Sequence, residues 1–143
     1  MASVVALCLS EKKGVKKHEV PEVVIRKGEG IVGDAHGDEP KRRISLLGVE
    51  SVDKLRSFMP DLKPGDFAEN ILTEGIVLYE LSIGARFKIG EAELEVTQIG
   101  KDCHHGCEIK RLTGDCVMPR EGIFAEIITE GTIKKGDGIE VYK

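Results

Sequence analysis

Short apolar runs separated by glycine-bearing turns dominate the pattern of hydrophobic and polar positions along this chain. The runs are about four to eight residues long and rich in valine and isoleucine, which is typical of β-strands. The segment AELEVTQI alternates apolar and polar residues, as a strand with one buried face does. The pattern predicts eight strands, at residues 3–10, 22–27, 42–48, 69–75, 85–90, 92–100, 122–131 and 138–143.

One helix is predicted after the third of these strands, because apolar residues recur there at helical spacing. The helical positions are Val49, Val52, Leu55, Arg56 and Met59, and Pro60 and Pro64 end the pattern. A second short helical segment is expected after Cys103, since CEIKRLTG closes on Gly114. No linker or second composition block divides the chain, so residues 1–143 are predicted to form a single domain. Many short strands with one or two helices favour a mainly β fold of the barrel type.

Composition and charge exclude several function classes. The net charge is −4, from 21 basic and 25 acidic residues, which gives no general attraction to nucleic acid or to an anionic membrane. Tryptophan is absent and aromatic residues are 4%, so a base-stacking surface is not expected. The apolar run near the N-terminus follows no positively charged segment, and no run approaches the roughly 18 apolar residues of a membrane span. We therefore expect a cytoplasmic protein whose thiols stay reduced.

The segment GEGIVG, from Gly28 to Gly33, matches the glycine pattern of dinucleotide-binding proteins. That fingerprint requires a helix opening at its last glycine. The following residues, DAHGDEPKRR, contain glycine, proline and acidic residues but no apolar period. The sequence therefore favours a glycine-rich turn over a dinucleotide site.

The loop that follows this turn carries candidate binding residues. Asp34 and His36 lie in it, and Arg42 and Arg43 follow Lys41 just before a predicted strand. Arginine side chains bind phosphate and other oxyanions through a two-pronged set of donors, and an acidic neighbour orients an imidazole. The alternative is a solvated loop with surface ion pairs.

The segment KPGDFAENI joins a proline-glycine turn to another predicted strand. Glu69 and Asn70 stand at the entrance of that strand, which suits the rim of a pocket. The alternative is a structural turn in which the asparagine satisfies neighbouring backbone groups.

The stretch GKDCHHGCEIKRLTGDC, residues 100–116, holds three of the four cysteines and two of the four histidines. Cys103, Cys107 and Cys116 with one histidine could bind zinc, although no second pair has the spacing typical of structural zinc sites. Cys107 also follows a glycine and has lysine and arginine residues nearby, a setting that favours a reactive thiolate. Cys8, by contrast, lies in an apolar strand and is expected to be a buried, inert cysteine. Arg120, a few residues further on, is a candidate oxyanion donor.

Four segments, taken in order, resemble the MOSC domain, which is named for the C-terminal part of molybdenum-cofactor sulfurases. They are GDAHGD with RRISLL, then KPGDFAENI, then the cysteine stretch, then GIFAEIITEGTIKKGD, and the resemblance covers nearly the whole chain. It implies a β-barrel similar to the barrel domain of pyruvate kinase. It also implies binding of the molybdenum cofactor (molybdopterin) or the handling of sulfur, with a late cysteine as sulfur carrier or molybdenum ligand. By order and context that cysteine is Cys107, with Cys103 and His36 as further candidates for the chemistry.

The resemblance implies that Asp34, Arg42, Arg43, Glu69, Asn70 and Arg120 bind the cofactor or another oxyanion-bearing small molecule. Sulfurases carry a separate pyridoxal-phosphate domain, for which a chain filled by one barrel has no room. Sulfur transfer of a sulfurtransferase kind would then depend on a separate cysteine desulfurase as donor. The competing hypothesis is a structural or interaction protein that binds zinc through Cys103, Cys107 and Cys116.

Overall fold

The structure is a computed structural model, and it describes residues 2–10, 17–34, 44–54, 56, 61–65, 69–99 and 122–142. This part of the chain is mainly β. The strands are β1 Ser3–Leu9, β2 His18–Val20, β3 Glu22–Arg26, β4 Gly30–Ile31, β5 Ile44–Gly48, β6 Ile71–Glu74, β7 Arg86–Ile89, β8 Ala92–Ile99, β9 Ile123–Thr129, β10 Gly131–Lys134 and β11 Ile139–Val141. An α-helix, α1, spans Val49–Asp53, and a 3-10 helix spans Leu78–Glu80.

Each of the eight apolar runs contains a strand, so the predicted mainly β fold is confirmed. The predicted helix is present and its Val52 is buried, but α1 ends at Asp53, earlier than the pattern indicated. The helical segment predicted after Cys103 lies outside the described residues. Among the helices that the structure does describe, none has the length and apolar character needed to cross a membrane.

Two sheets form the fold. The larger has the strand order β11-β7-β8-β9-β5-β6-β1-β2, and the smaller has the order β10-β3-β4. Neighbouring strands are antiparallel except for β5 and β6, which run parallel with Leu46 opposite Ile71 and Gly48 opposite Thr73. Because β5 and β6 are parallel, their first residues, Ile44 and Ile71, lie toward the same end of the sheet.

The two ends of the larger sheet approach each other at the start of β1. Among the described residues, the ladders between strands do not form one closed barrel, but an isolated bridge pairs Ser3 with Gly138. The Val4 N–H donates to the Asp137 carbonyl at 2.9 Å, and the Val4 carbonyl accepts from the Gly136 N–H at 2.9 Å. One edge of β1 therefore meets the segment before β11 at its start, and β2 at its end.

Both sheets contribute to one main hydrophobic core. Leu7, Phe87 and Leu94 of the larger sheet and Ile25 and Ile133 of the smaller one are buried in the same cluster. β3 shows the expected alternation of exposed and buried residues, whereas every residue of β5 is buried. A smaller cluster of Ala6, Leu47, Val52, Leu62, Leu72 and Phe124 covers the second face of β5. Since β5 is buried on both faces, its position is strongly fixed.

Candidate functional site

The hairpin of β3 and β4 delivers Asp34 to the interior. Gly28, Gly30 and Gly33 in this hairpin have φ angles of 82°, 81° and 92°, a region that glycine adopts without strain. The Asp34 N–H then donates to the Ile31 carbonyl at 3.0 Å and closes the last turn. The GEGIVG segment is therefore a set of hairpin turns, as the sequence favoured, and its glycines set the direction in which Asp34 leaves the sheet.

Asp34 forms a buried ion pair with Lys17. Oδ1 of Asp34 lies 2.6 Å from Nζ of Lys17, and the two side chains are 0% and 1% exposed. The same oxygen accepts a hydrogen bond from the Ser10 backbone N–H at 3.0 Å. Burial of two charges is costly unless they are paired and further hydrogen-bonded. Here the charges are paired with each other, and Oδ1 accepts the additional hydrogen bond from Ser10.

The second oxygen of Asp34 is different. Oδ2 is buried and has no hydrogen-bond partner in the part of the chain that the structure describes. A buried acceptor without a donor costs about 1–3 kcal/mol.

A glycine turn links Lys17 to Glu69. The Lys17 N–H donates to the Gly65 carbonyl at 3.1 Å, and the Gly65 N–H donates to Oε2 of Glu69 at 2.9 Å. Gly65 has a φ of 92°, and a Cβ atom there would collide with the backbone carbonyl of Lys17. The turn therefore needs glycine at this position, and its N–H bonds to the carboxylate of Glu69, which is fully buried.

Asn70 joins three strands of the larger sheet. Its Oδ1 accepts from the backbone N–H of Ser45 at 3.0 Å and from the Ser45 hydroxyl at 3.2 Å. Its Nδ2 donates to the Cys8 carbonyl at 3.1 Å. Asn70 therefore has the structural role that the sequence left open as an alternative, because its side chain bonds to β1 and β5.

Three candidate residues from the sequence, Asp34, Glu69 and Asn70, are brought to the same end of the larger sheet. We call the group Ser10, Lys17, Asp34, Ser45, Glu69 and Asn70 the polar cluster; all six side chains lie where β1 ends and β5 and β6 begin. The other candidates, His36, Arg42, Arg43, Cys103, Cys107 and Arg120, lie outside the described residues. Their meeting with the polar cluster stays a prediction.

Sequence reasoning missed Lys17, Ser10 and Ser45. Lys17 stands in the charged run EKKGVKKHEV, which has the appearance of a solvated face. Its burial depends on Asp34, which the hairpin brings to it, and no local pattern predicts that pairing. Ser45 interrupts an apolar strand, and this interruption is the one local signal that could have marked it.

The two segments predicted to complete the site are attached to neighbouring strands. Residues 35–43 lead into Ile44 of β5, and residues 100–121 connect Ile99 of β8 to β9. Ile123 of β9 pairs with Leu46, two residues from Ile44, or roughly 7 Å along the strand. The two segments are attached at opposite ends of the ladder between β5 and β9. The extended length of a chain segment such as 100–121 greatly exceeds the distance between these ends.

A cavity of about 140 Å³ lies at the other end of β5. Its lining includes Gly48, Glu50, Lys54 and Tyr79, and Oε2 of Glu50 accepts from the Gly75 N–H at 2.8 Å. Of the described candidate residues, Asp34, Glu69 and Asn70, none lines this cavity. Within the described residues, no group of three or more histidine, cysteine, aspartate or glutamate side chains is arranged to hold a metal ion.

The fold and the order of these motifs define a MOSC domain. The profile of the MOSC domain family matches residues 33–140, and the chain belongs to this family, which is associated with the C-terminal domain of molybdenum-cofactor sulfurases. No curated protein gives a match.

Solved structures confirm the fold. The YuaD protein from Bacillus subtilis is 21% identical, with a TM-score of 0.79 over 100% of this chain and 98% of that one. YiiM from Geobacillus stearothermophilus is 16% identical, with a TM-score of 0.75 over 100% of this chain and 76% of the other. YiiM from Escherichia coli is 20% identical, with a TM-score of 0.70 over 100% and 70%. At these identities the likeness concerns the fold.

Proposed function

We propose that this chain binds the pterin–molybdenum cofactor or a precursor of it, and that Cys107 carries sulfur as a persulfide or ligates molybdenum. Membership of the MOSC family supports the cofactor class. The observation that carries the proposal is the polar cluster, because the buried charges of Lys17 and Asp34 meet there, and Asp34 Oδ2 has no hydrogen-bond partner among the described residues.

The arginine residues are proposed to bind the phosphate and oxo groups. In the sequence, Arg43 directly precedes Ile44, the first residue of β5, and stands two positions before Ser45 of the polar cluster. Arg42 and Arg120 complete the proposed set. Guanidinium groups bind oxyanions through paired N–H donors, whereas the carboxylates of Asp34 and Glu69 repel them. The cluster and the arginines would thus bind different parts of one ligand.

The proposed thiolate ligand fits the cofactor. Cys107 offers a thiolate, a soft ligand that suits molybdenum and is also a good sulfur acceptor. When bound, the cofactor would supply a metal centre for redox or oxygen- and sulfur-transfer chemistry. The chain itself would hold the ring, bind the phosphate and present the thiolate.

The sulfur-carrier role has a simple balanced step. The Cys107 thiolate attacks the outer sulfur of a donor persulfide, a new S–S bond forms, and the donor's S–S bond breaks. The donor leaves as a thiolate, and Cys107 becomes a persulfide with no net oxidation or reduction. The donor would be a separate cysteine desulfurase, and the exchange would take place in the cytoplasm, where thiols are kept reduced.

Mass spectrometry tests this step. The protein is incubated with a cysteine desulfurase and cysteine and is then digested without reductant. We expect an added sulfur atom on the Cys107 peptide, lost in Cys107→Ser and kept in Cys8→Ser. Stoichiometric zinc in the purified protein, together with no sulfur adduct, would instead support the zinc-binding hypothesis.

A further inference from the structure

The cavity at the end of β5 away from the polar cluster is a second candidate site, formed by residues between 48 and 54 and between 75 and 79. Its volume is about 140 Å³. An apolar cavity of about 150 Å³ is enough to hold benzene, so this cavity can take a ligand of about six or seven non-hydrogen atoms. Glu50 and Lys54 on its wall are exposed, and Tyr79 is half-buried. A small molecule can therefore reach these side chains from solvent.

Gly48 contributes to the cavity by having no side chain. Its φ and ψ angles are −80° and 140°, which every residue type adopts, so the backbone does not require glycine here. A Cβ atom at this position would stand 3.1 Å from Oε1 of Glu50, closer than an ordinary van der Waals contact. The absence of a side chain therefore leaves space for the Glu50 carboxylate and for a ligand beside it.

Two opposite charges line the cavity, and a neighbouring group holds each of them. Oε2 of Glu50 accepts a hydrogen bond from the Gly75 N–H at 2.8 Å, while Oε1 lies on the side of Gly48. Nζ of Lys54 lies 5.6 Å from the centroid of the Tyr79 ring, within the range of a cation–π attraction. The carboxylate and the ammonium group are thus fixed at separate places on the wall.

These charges determine which ligand fits. A simple cation at Glu50 would be repelled by Lys54, and a simple anion at Lys54 would be repelled by Glu50. A molecule that carries both an ammonium group and a carboxylate matches both side chains. The apolar side chains of Val77 and Leu78 on the same wall lower the local dielectric constant and so strengthen both attractions.

We propose that this cavity binds a small zwitterion, such as an α-amino acid with a short side chain, with its ammonium group on Glu50 and its carboxylate on Lys54. The cavity is separate from the polar cluster, since Gly48 and Ser45 are three residues apart in β5, or roughly 10 Å along the strand. Zwitterion binding here goes beyond the proposed cofactor function and does not depend on it.

Three ligands of nearly the same shape test the proposal on the wild type alone. Free alanine carries both charges, isopropylamine has a methyl group in place of the carboxylate, and isobutyrate has a methyl group in place of the ammonium group. We expect titrations followed by amide NMR to show chemical-shift changes at Gly48 and Gly75. Free alanine should bind roughly tenfold more tightly than either analogue, because each analogue loses one charged hydrogen-bonding group. Equal affinities for the three ligands, or no shift changes around the cavity, would overturn the proposal.

Two charge variants test the partner of each group. Glu50→Gln and Lys54→Met should each weaken the binding of free alanine roughly tenfold. Glu50→Gln should not weaken isobutyrate binding, and Lys54→Met should not weaken isopropylamine binding. The matched controls are Glu29→Gln and Lys88→Met, which remove exposed charges outside the cavity and should change no affinity. Wild-type affinity for free alanine in either folded cavity variant would show that the assigned pairing is wrong.

Gly48→Ala tests the cavity itself. The exposed side chain of Glu50 can move away from the added methyl group, so the unfolding midpoint should stay close to that of the wild type. We expect the affinity for free alanine to fall roughly tenfold, because the methyl group displaces the carboxylate that binds the ammonium group. Binding at wild-type affinity by Gly48→Ala would show that the ligand lies elsewhere.

Discussion

Asn70 Oδ1 accepts hydrogen bonds from both the backbone N–H and the hydroxyl of Ser45, at 3.0 and 3.2 Å. The backbone repeats the connection, because the Asn70 N–H donates to the Ser45 carbonyl and to the Ser45 hydroxyl oxygen, each at 3.0 Å. These bonds set the register between the parallel strands β5 and β6 at the end where the polar cluster lies. Stability and site geometry thus depend on the same side chain.

Replacement of this amide should destabilise the protein. Asn70→Ala removes three buried side-chain hydrogen bonds to Ser45 and Cys8, and we expect the free energy of unfolding to fall by about 3 kcal/mol. Urea unfolding followed by circular dichroism measures this. A double-mutant cycle with Ser45→Ala should show a coupling of about 1 kcal/mol. The control is Ser3→Ala, which removes an exposed hydrogen bond to Glu74. A loss in Asn70→Ala no larger than in this control would contradict the structural role.

The buried ion pair predicts that Lys17 contributes much more to the free energy of unfolding than Lys135 does. Lys17→Met leaves the Asp34 charge buried without its partner, and we expect a loss of about 3–5 kcal/mol in unfolding free energy. Lys135→Met removes an exposed pair with Glu19, whose side chains are 60% and 41% exposed, and should cost less than about 1 kcal/mol. Adding Asp34→Asn to Lys17→Met should restore part of the loss. Similar midpoints for the two single variants would show that the first pair is not buried in solution.

Two glycines with nearly the same φ angle allow the cost of a left-handed backbone to be distinguished from the cost of a steric clash. Gly65 and Gly84 have φ angles of 92° and 93°, but a Cβ atom collides with the Lys17 carbonyl only at Gly65. Gly84→Ala should cost about 1–2 kcal/mol from the left-handed conformation alone. Gly65→Ala should cost roughly 1–3 kcal/mol more, from overpacking against a backbone that cannot move away. Thermal unfolding of the two variants measures the difference, and equal losses would exclude the close approach.

Thiol reactivity should differ sharply between the strand cysteine and the cysteine stretch. Cys8 is fully buried in β1, and its position matches the inert cysteine predicted from the sequence. We expect competitive alkylation of the folded protein at neutral pH to label Cys107 first and Cys8 last, with the difference lost in denaturant. Faster labelling of Cys116 than of Cys107 would move the proposed sulfur carrier to Cys116.

The arginine residues should bind oxyanions. We expect molybdate or tungstate soaked into crystals to give density beside Arg42 or Arg43. Alanine at either position should weaken pyrophosphate binding, whereas alanine at Arg26, an exposed residue of β3, should not. Density confined to contacts between neighbouring molecules would count against an oxyanion site in this loop.

The strands could be predicted from the sequence where burial leaves a local trace. β8 alternates buried and partly buried residues, and every residue of β5 is buried. Each of these patterns can be recognised within a few residues of sequence. β2, β4 and β10 were not predicted, because β2 is largely exposed, β4 has two residues, and only Ile133 of β10 is buried. Their strand conformation comes from pairing with β1 and β3, and pairing over such short lengths leaves no period to detect.

The candidate site residues could likewise be predicted only where the sequence carries a local signal. Glu69 and Asn70 can be recognised in the sequence as polar residues at the start of an apolar run. Asp34 can be recognised as the acidic residue that follows the glycine-rich turn. Lys17 was missed because its burial results from a partner brought to it by the β3–β4 hairpin. The lack of a hydrogen-bond partner for Asp34 Oδ2 among the described residues depends on three-dimensional packing and could not be predicted from the sequence.

The edge of β1 that meets Gly136–Ile139 has a consequence for how the chain is made. β1 leaves the ribosome early, but the backbone groups that satisfy Val4 lie near the other end of the chain. A nascent chain stalled before Gly136 would expose this edge and offer it to other strands. This edge of β1 can therefore be completed only after residues 136–139 have been made, and until then a chaperone or rapid synthesis would be needed to keep β1 from pairing with other strands.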